Sequence, residues 1–274
     1  LRIGRKRRAN NEVLSSNGIR KVTGRKGLGK LAFFGIGDTI RITTCQNGQR
    51  VYFILSWKDL MNTDGQEYEP QFSISECDDA NGTIIELDDL KRQSDFNKVD
   101  LAVSLSKLFN FFDDTFKVYI SYNDDEEVLI DNRLRYQDLS PQIVWDFPNN
   151  DVKNEYLENY NVTGCIYATE KPLKPGLRGI TLFAHGRLVN APEFFGVGES
   201  SHGYSYLTGW LNVDFIDEME EDVISTDRQS LSWDLPVTSE LQSNLKKLLF
   251  DIERDWRNKR KIERQNQISN KTDR

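Results

Sequence analysis

Glycines and lysines crowd the stretch "VTGRKGLGKLAFFGIG" (22–37), and their spacing suits an anion. Gly24, Gly29 and Lys30 stand at the G-x-x-x-x-G-K spacing of a P-loop, which cradles phosphates with backbone N–H groups and sets a following Ser or Thr hydroxyl on magnesium. Leu31 takes the hydroxyl's place, and "SSNGIRKV" ahead of Gly24 is too polar for the buried parallel strand that a P-loop follows. The stretch therefore reads as a non-Walker phosphate loop. Its glycines let the backbone turn amides inward, an apolar helix starting near Lys30 would point its positive end at the anion, and Lys26 or Lys30 can add a charge. The alternative is a glycine-rich turn that only packs "LAFFGIG" close to a sheet.

The elements that must position this loop come from a chain of 274 residues, long enough for two ordinary domains with real apolar cores. No run is long and apolar enough for a membrane span, and no signal-peptide pattern opens the chain, so a cytoplasmic protein without membrane attachment is expected. Cys45, Cys77 and Cys165 lie far apart with only His185 and His202 to help, which predicts buried free thiols and no zinc site. The net charge is −7, yet residues 1–30 carry ten Lys/Arg against Glu12 alone, while 76–158 are rich in acids. Overall acidity argues against a dedicated nucleic-acid coat but leaves local basic segments free to meet phosphates.

"TIRITTC" (39–45) and "RVYFILSW" (50–57) flank Asn47-Gly48, a pair that supplies the positive φ angles of a hairpin turn. "GTIIEL" (82–87) and "FKVYISY" (116–122) read as strands, and Leu101, Leu105, Leu108, Phe109 and Phe112 as the buried stripe of a helix. A boundary is expected near residue 130. Beyond it "TGCIYAT" (163–169), "GITLFAHGRLVN" (179–190, turning at His185-Gly186) and "YSYLTGWLNVDF" (204–215) read as strands. A helix then starts with a capping box at Ser239 and Gln242, buries Leu241, Leu245, Leu248, Leu249, Ile252 and Trp256, and frays after Trp256.

With these residues in place, the sequence resembles the GHKL ATPases, the family of the DNA gyrase B subunit, histidine kinases, MutL, the ninety-kilodalton heat-shock chaperone and the MORC proteins; the chaperone and MORC branches are nearest. In that family an ATP lid ends in a G-x-x-G-x-G loop, which Gly24, Gly27 and Gly29 in "GRKGLGK" match, and a later Gly-Thr strand matches Gly82-Thr83. The domain after the ATP fold, the transducer, returns a basic residue to the γ-phosphate in an Asn/Ser-Arg/Lys-Gln/Glu context. "VISTDRQSLSWD" (223–234) has that form with Arg228 and Gln229.

The resemblance implies an α+β chain: the later part of a Bergerat-type α/β sandwich over 1–130, then a transducer-like α/β domain over 131–274 ending in a long helix. It implies that Gly24, Arg25, Lys26, Gly27, Leu28, Gly29 and Lys30 bind ATP phosphates, that Thr83 lines the pocket, and that Arg228 acts in catalysis. ATP and magnesium are the implied cofactors, with a homodimeric clamp and a DNA or protein client as implied assembly and partner. The family's catalytic Glu, magnesium-binding Asn and D-x-G-x-G motif do not occur in these residues, so they are expected upstream of Leu1 and the chain is expected to be inactive alone. Without the family, Arg228 would read as a surface ion-pair residue satisfied by Glu218, Glu220, Glu221 or Asp222. A different class of function also fits: a non-catalytic module whose basic terminal segments contact nucleic acid or an acidic partner.

Overall fold

The computed structural model describes residues 29–62, 68–110, 116–123, 125–137, 139–198, 202–219 and 221–272. Helices accompany antiparallel and mixed sheets, an α+β architecture. The chain groups into two compact units, Leu1–Asp95 and Phe96–Arg274. That division falls earlier than the boundary expected near residue 130, because the helix and short ribbon that follow Asp95 pack within the second unit.

In the first unit, β1 (Gly37–Gln46) and β2 (Gln49–Ser56) form the hairpin that Asn47-Gly48 announces, with φ of 52° and 79° at the two turn residues. A short α1 (Trp57–Met61) follows, its N-cap Ser56 accepting from the Asp59 N–H. β3 (Phe72–Glu76) and β4 (Gly82–Leu90) complete an antiparallel sheet of order β3-β2-β1-β4. Residues directly opposite one another share a face. Phe72, Phe53, Ile42 and Ile85 therefore make one apolar row, and Ile74, Val51, Thr44 and Thr83 the next. Ile40 on that face is fully buried, whereas Phe72 and Ile74 are 67% and 61% exposed.

The second unit opens with α2 (Lys98–Leu108), capped by the Asn97 side chain on the N–H groups of Val99 and Asp100. Its buried face is Ala102 and Ser106, flanked by Leu105 and Phe109, while Leu101 and Leu108 are exposed. The expected stripe is thus rotated: the ribbon of β5 (Val118–Ile120) and β6 (Val128–Ile130) closes on the small Ala102 with Leu105 beside it and leaves Leu101 and Leu108 outside. Five strands follow: β7 (Pro141–Phe147), β8 (Thr163–Thr169), β9 (Gly179–Ala184), β10 (Arg187–Glu193) and β11 (Leu207–Asn212), with a short α3 (Glu155–Asn159) between the first two. Their order is β10-β9-β11-β8-β7, antiparallel except for the parallel pair β9/β11. Every residue of β9 is buried.

α4 runs from Pro236 to Thr272. It begins at the proline, which suits a first-turn position whose N–H would be unpaired anyway. Ser239 is already inside, its N–H bonded to the Leu235 carbonyl, so it does not cap the helix. Leu241, Leu245, Leu248, Leu249, Ile252 and Trp256 join the sheet's core as expected. The helix does not stop there: it continues to Thr272, with ion pairs Arg254–Asp251, Arg257–Glu253 and Lys259–Asp255 along the way. No helix among the described residues is long and apolar enough to cross a membrane.

Candidate functional site

Gly24, Arg25, Lys26, Gly27 and Leu28 lie outside the described residues. Gly29 and Lys30 open a seven-residue 3-10 helix, Gly29–Gly35, in place of the expected α-helix. Three residues per turn and poorer hydrogen-bond geometry keep such elements short. Thr83, the second residue of β4, is exposed on the apolar face of the first sheet, its Oγ1 2.9 Å from Thr44 Oγ1.

Arg228 occupies the tip of a tight loop in the second unit. Ile224 bridges to Leu231, and Ser225 organises the turn: its N–H donates to the Ser230 carbonyl and its hydroxyl to Asp227 Oδ1 at 2.6 Å. The same hydroxyl accepts from the N–H groups of Gln229 and Ser230. The Ser225 hydroxyl, and after it the Gln229 N–H donating to Asp227 Oδ1, hold the Asp227 carboxyl below its ordinary range. The loop is fastened to β10 where the Ala191 N–H donates to the Gln229 carbonyl and the Leu231 N–H to buried Asn190. Within this frame Arg228 has φ of 59°, a left-handed conformation that costs a non-glycine residue roughly 1 kcal/mol or more.

The Arg228 side chain is only 25% exposed and faces Asp217, which is buried; Nη2 stands 4.0 Å from Oδ1. Asp217 is not among the acids the sequence suggested as local partners. A 3-10 turn, Asp214–Glu218, turns it inward. Arg187, at the start of β10, shares this neighbourhood: burial pulls its pKa down first, the Arg228 charge adds to that, and Asp217 opposes it. Two guanidiniums thus stand near one buried carboxylate, and Arg is the residue whose planar fork suits an anion. Beside them the β9–β10 turn sets His185 at φ 48°, with its N–H on Asp214 Oδ1 and its imidazole nitrogens 3.5 Å from Asp214 and Glu218. Sequence reading singled out neither Arg187 nor Asp217; the "HGR" of the hairpin turn was the available signal for the first.

Among the described residues, Cys45, Cys77 and Asp79 are placed where a soft cation could be held, their ligand atoms within 4.8 Å of one another. Cys45 and Cys77, far apart in sequence, meet because the segment 77–82 crosses the tip of the β1/β2 hairpin, tied by the Cys77 N–H to Gly48 and the Asn47 N–H to Asn81. The three cysteines are also half-buried and free, not buried. Burial pushes the Cys45 thiol up, and Arg50 is paired with Asp79 and holds that carboxyl below its usual range. A cation here would displace thiol protons and Arg50 together.

No protein-family profile matches the chain. The chain is 24% identical over 253 residues to a protein of Herpetosiphon aurantiacus named "Putative type II restriction enzyme HgiDII". The similarity covers 84% of this chain and 41% of that relative, so the chain spans less than half the length of the protein it is similar to.

Proposed function

We propose that the chain is the lid-to-transducer part of a GHKL-type ATP-driven clamp, in which Arg228 neutralises charge developing on the γ-phosphate. One observation carries the reading: an arginine kept in a costly left-handed conformation at the tip of a hydrogen-bonded loop, beside a second, half-buried guanidinium. Strain of this kind persists where the surrounding structure over-determines it, and such positions gather at ligand sites. The apolar face of the first sheet supports the reading too, since an α/β sandwich covers such a face with helices. In this reading the loop Gly24–Lys30 wraps the phosphates, Thr83 lines the pocket, magnesium is held by residues outside this chain, and the intact protein dimerises.

The test is ATP turnover in the full-length protein. Arg228→Gly removes the guanidinium while accepting the positive φ, so it isolates the charge from the backbone. It should lower hydrolysis by at least about tenfold, given that arginines of this role are worth about 10³ to 10⁵ in other phosphoryl-transfer enzymes. Arg228→Lys should restore only part of the rate, as a point charge replaces a fork. Parental turnover in Arg228→Gly would reduce Arg228 to a structural partner of Asp217.

A second reading, a module that contacts nucleic acid without catalysis of its own, is favoured by the name of the Herpetosiphon relative, since restriction enzymes work on DNA. The two are compatible if DNA is the client of the clamp.

A further inference from the structure

Where α4 passes the 3-10 turn His202–Tyr206 there is a groove of about 420 Å³ whose helical wall is basic. Arg257, Arg260, Lys261 and Arg264 line it at i, i+3, i+4 and i+7, one face of the helix. Arg257 is paired with Glu253, but among the described residues no carboxylate is paired with Arg260, Lys261 or Arg264. The guanidinium of Arg260 lies 4.9 Å from the ring centres of both Tyr206 and Trp256. The rings fix the planar fork without neutralising it. The indole N–H of Trp256, in the same wall, is buried and has no acceptor among the described residues.

Like charges at these spacings repel by a few tenths of a kcal/mol per pair, and packing does not require them, because the buried stripe of α4 ends at Trp256. In a chain of net charge −7, such a row is a local cost that a ligand can repay.

We infer that this groove binds the sugar-phosphate backbone of nucleic acid, through Arg260, Lys261 and Arg264. Its length decides between a polymer and a single nucleotide. From Arg260 to Arg264 the helix rises about 6 Å, and a strand presents one phosphate per about 3.4 Å of duplex axis, so three cations with long side chains reach two to three phosphates. The contact is independent of base sequence: Tyr206 and Trp256 are buried beneath Arg260 and offer no face for a base to stack on. The inference shares its polymer with the second reading above and owes nothing to the ATP reading, which can fail without affecting it.

The test is titration of a fluorescent duplex of arbitrary sequence into the full chain at several salt concentrations, without nucleotide. The logarithm of affinity should fall with that of salt with a slope of about −2 to −3, from about −0.9 per phosphate neutralised. Lys261→Ala/Arg264→Ala, whose side chains are exposed, should shallow the slope by about two and weaken binding at least tenfold at low salt. Arg260→Ala is a second variant, read with circular dichroism because Arg260 covers two rings. Unchanged affinity and slope in the double variant would overturn the assignment and move any binding elsewhere, for instance to the basic residues 1–30. Equal competition by ATP alone, or by polyglutamate, would overturn it in favour of a nucleotide or an acidic protein.

Discussion

Arg135 is where burial and charge conflict most openly. Burial pulls its pKa down, yet the guanidinium is placed to be used: Nε donates to the Ser106 carbonyl and Nη2 to that of Phe109, both at 2.7 Å, while the plane lies 4.5 Å from the centre of the Phe183 ring. Those carbonyls end α2, where unpaired acceptors and the helix dipole both favour a cation. Arg135→Met should cost about 3 kcal/mol by leaving the carbonyls buried and unmet, and Arg135→Lys should recover part of it, as read by denaturant unfolding. None of this was legible in "RLRYQD", because the acceptors are set by where α2 ends. The loop that carries Arg228 is local by contrast, made by its neighbours Ser225, Asp227 and Gln229. Arg228 faces Asp217, one residue ahead of the acids of "EMEED", because the 3-10 turn Asp214–Glu218 turns that carboxylate inward.

Among elements, those built on local chemistry were readable. Asn47-Gly48 fixed the β1/β2 hairpin, and the apolar run "TGCIYAT" coincides with β8. β3 and β7 escaped notice, one short and serine-rich, the other opening on a proline that suits its edge position in the sheet. α4 differs from expectation at both ends: it starts at Pro236 rather than at a capping box, and it runs past the end of the apolar stripe, where Arg257–Glu253 and Lys259–Asp255 pair across successive turns. The tightest pairing in the larger sheet depends on two glycines. A Cβ on Gly209 would stand 2.4 Å from the Cys165 carbonyl oxygen, and one on Gly164 would stand 2.2 Å from that of Trp210. Gly209→Ala should therefore separate β11 from β8 at a cost of about 3 kcal/mol, with hydrogen exchange accelerating in those strands before any others.

At the scale of the molecule, the second unit is sensitive to alkali. Burial is the first cause that pushes the Tyr167 hydroxyl up to about 12, and burial raises Tyr136, whose ring centre is 5.2 Å away, as well. A raised pKa favours the neutral phenol in the folded state. The stabilisation is complete below pH of about 10, where unfolded tyrosine is also neutral, and is lost as pH climbs toward 12. Circular dichroism followed with tyrosinate absorbance should show the second unit unfolding over that interval, with Tyr167→Phe flattening the loss. β11 has a further consequence, in time. It lies between β8 and β9, yet it follows both in the chain, and the helix that covers the sheet follows it. A ribosome delivering this chain in order therefore releases two strands without the one that joins them, and the second unit can close only once residues past 256 have left the exit tunnel.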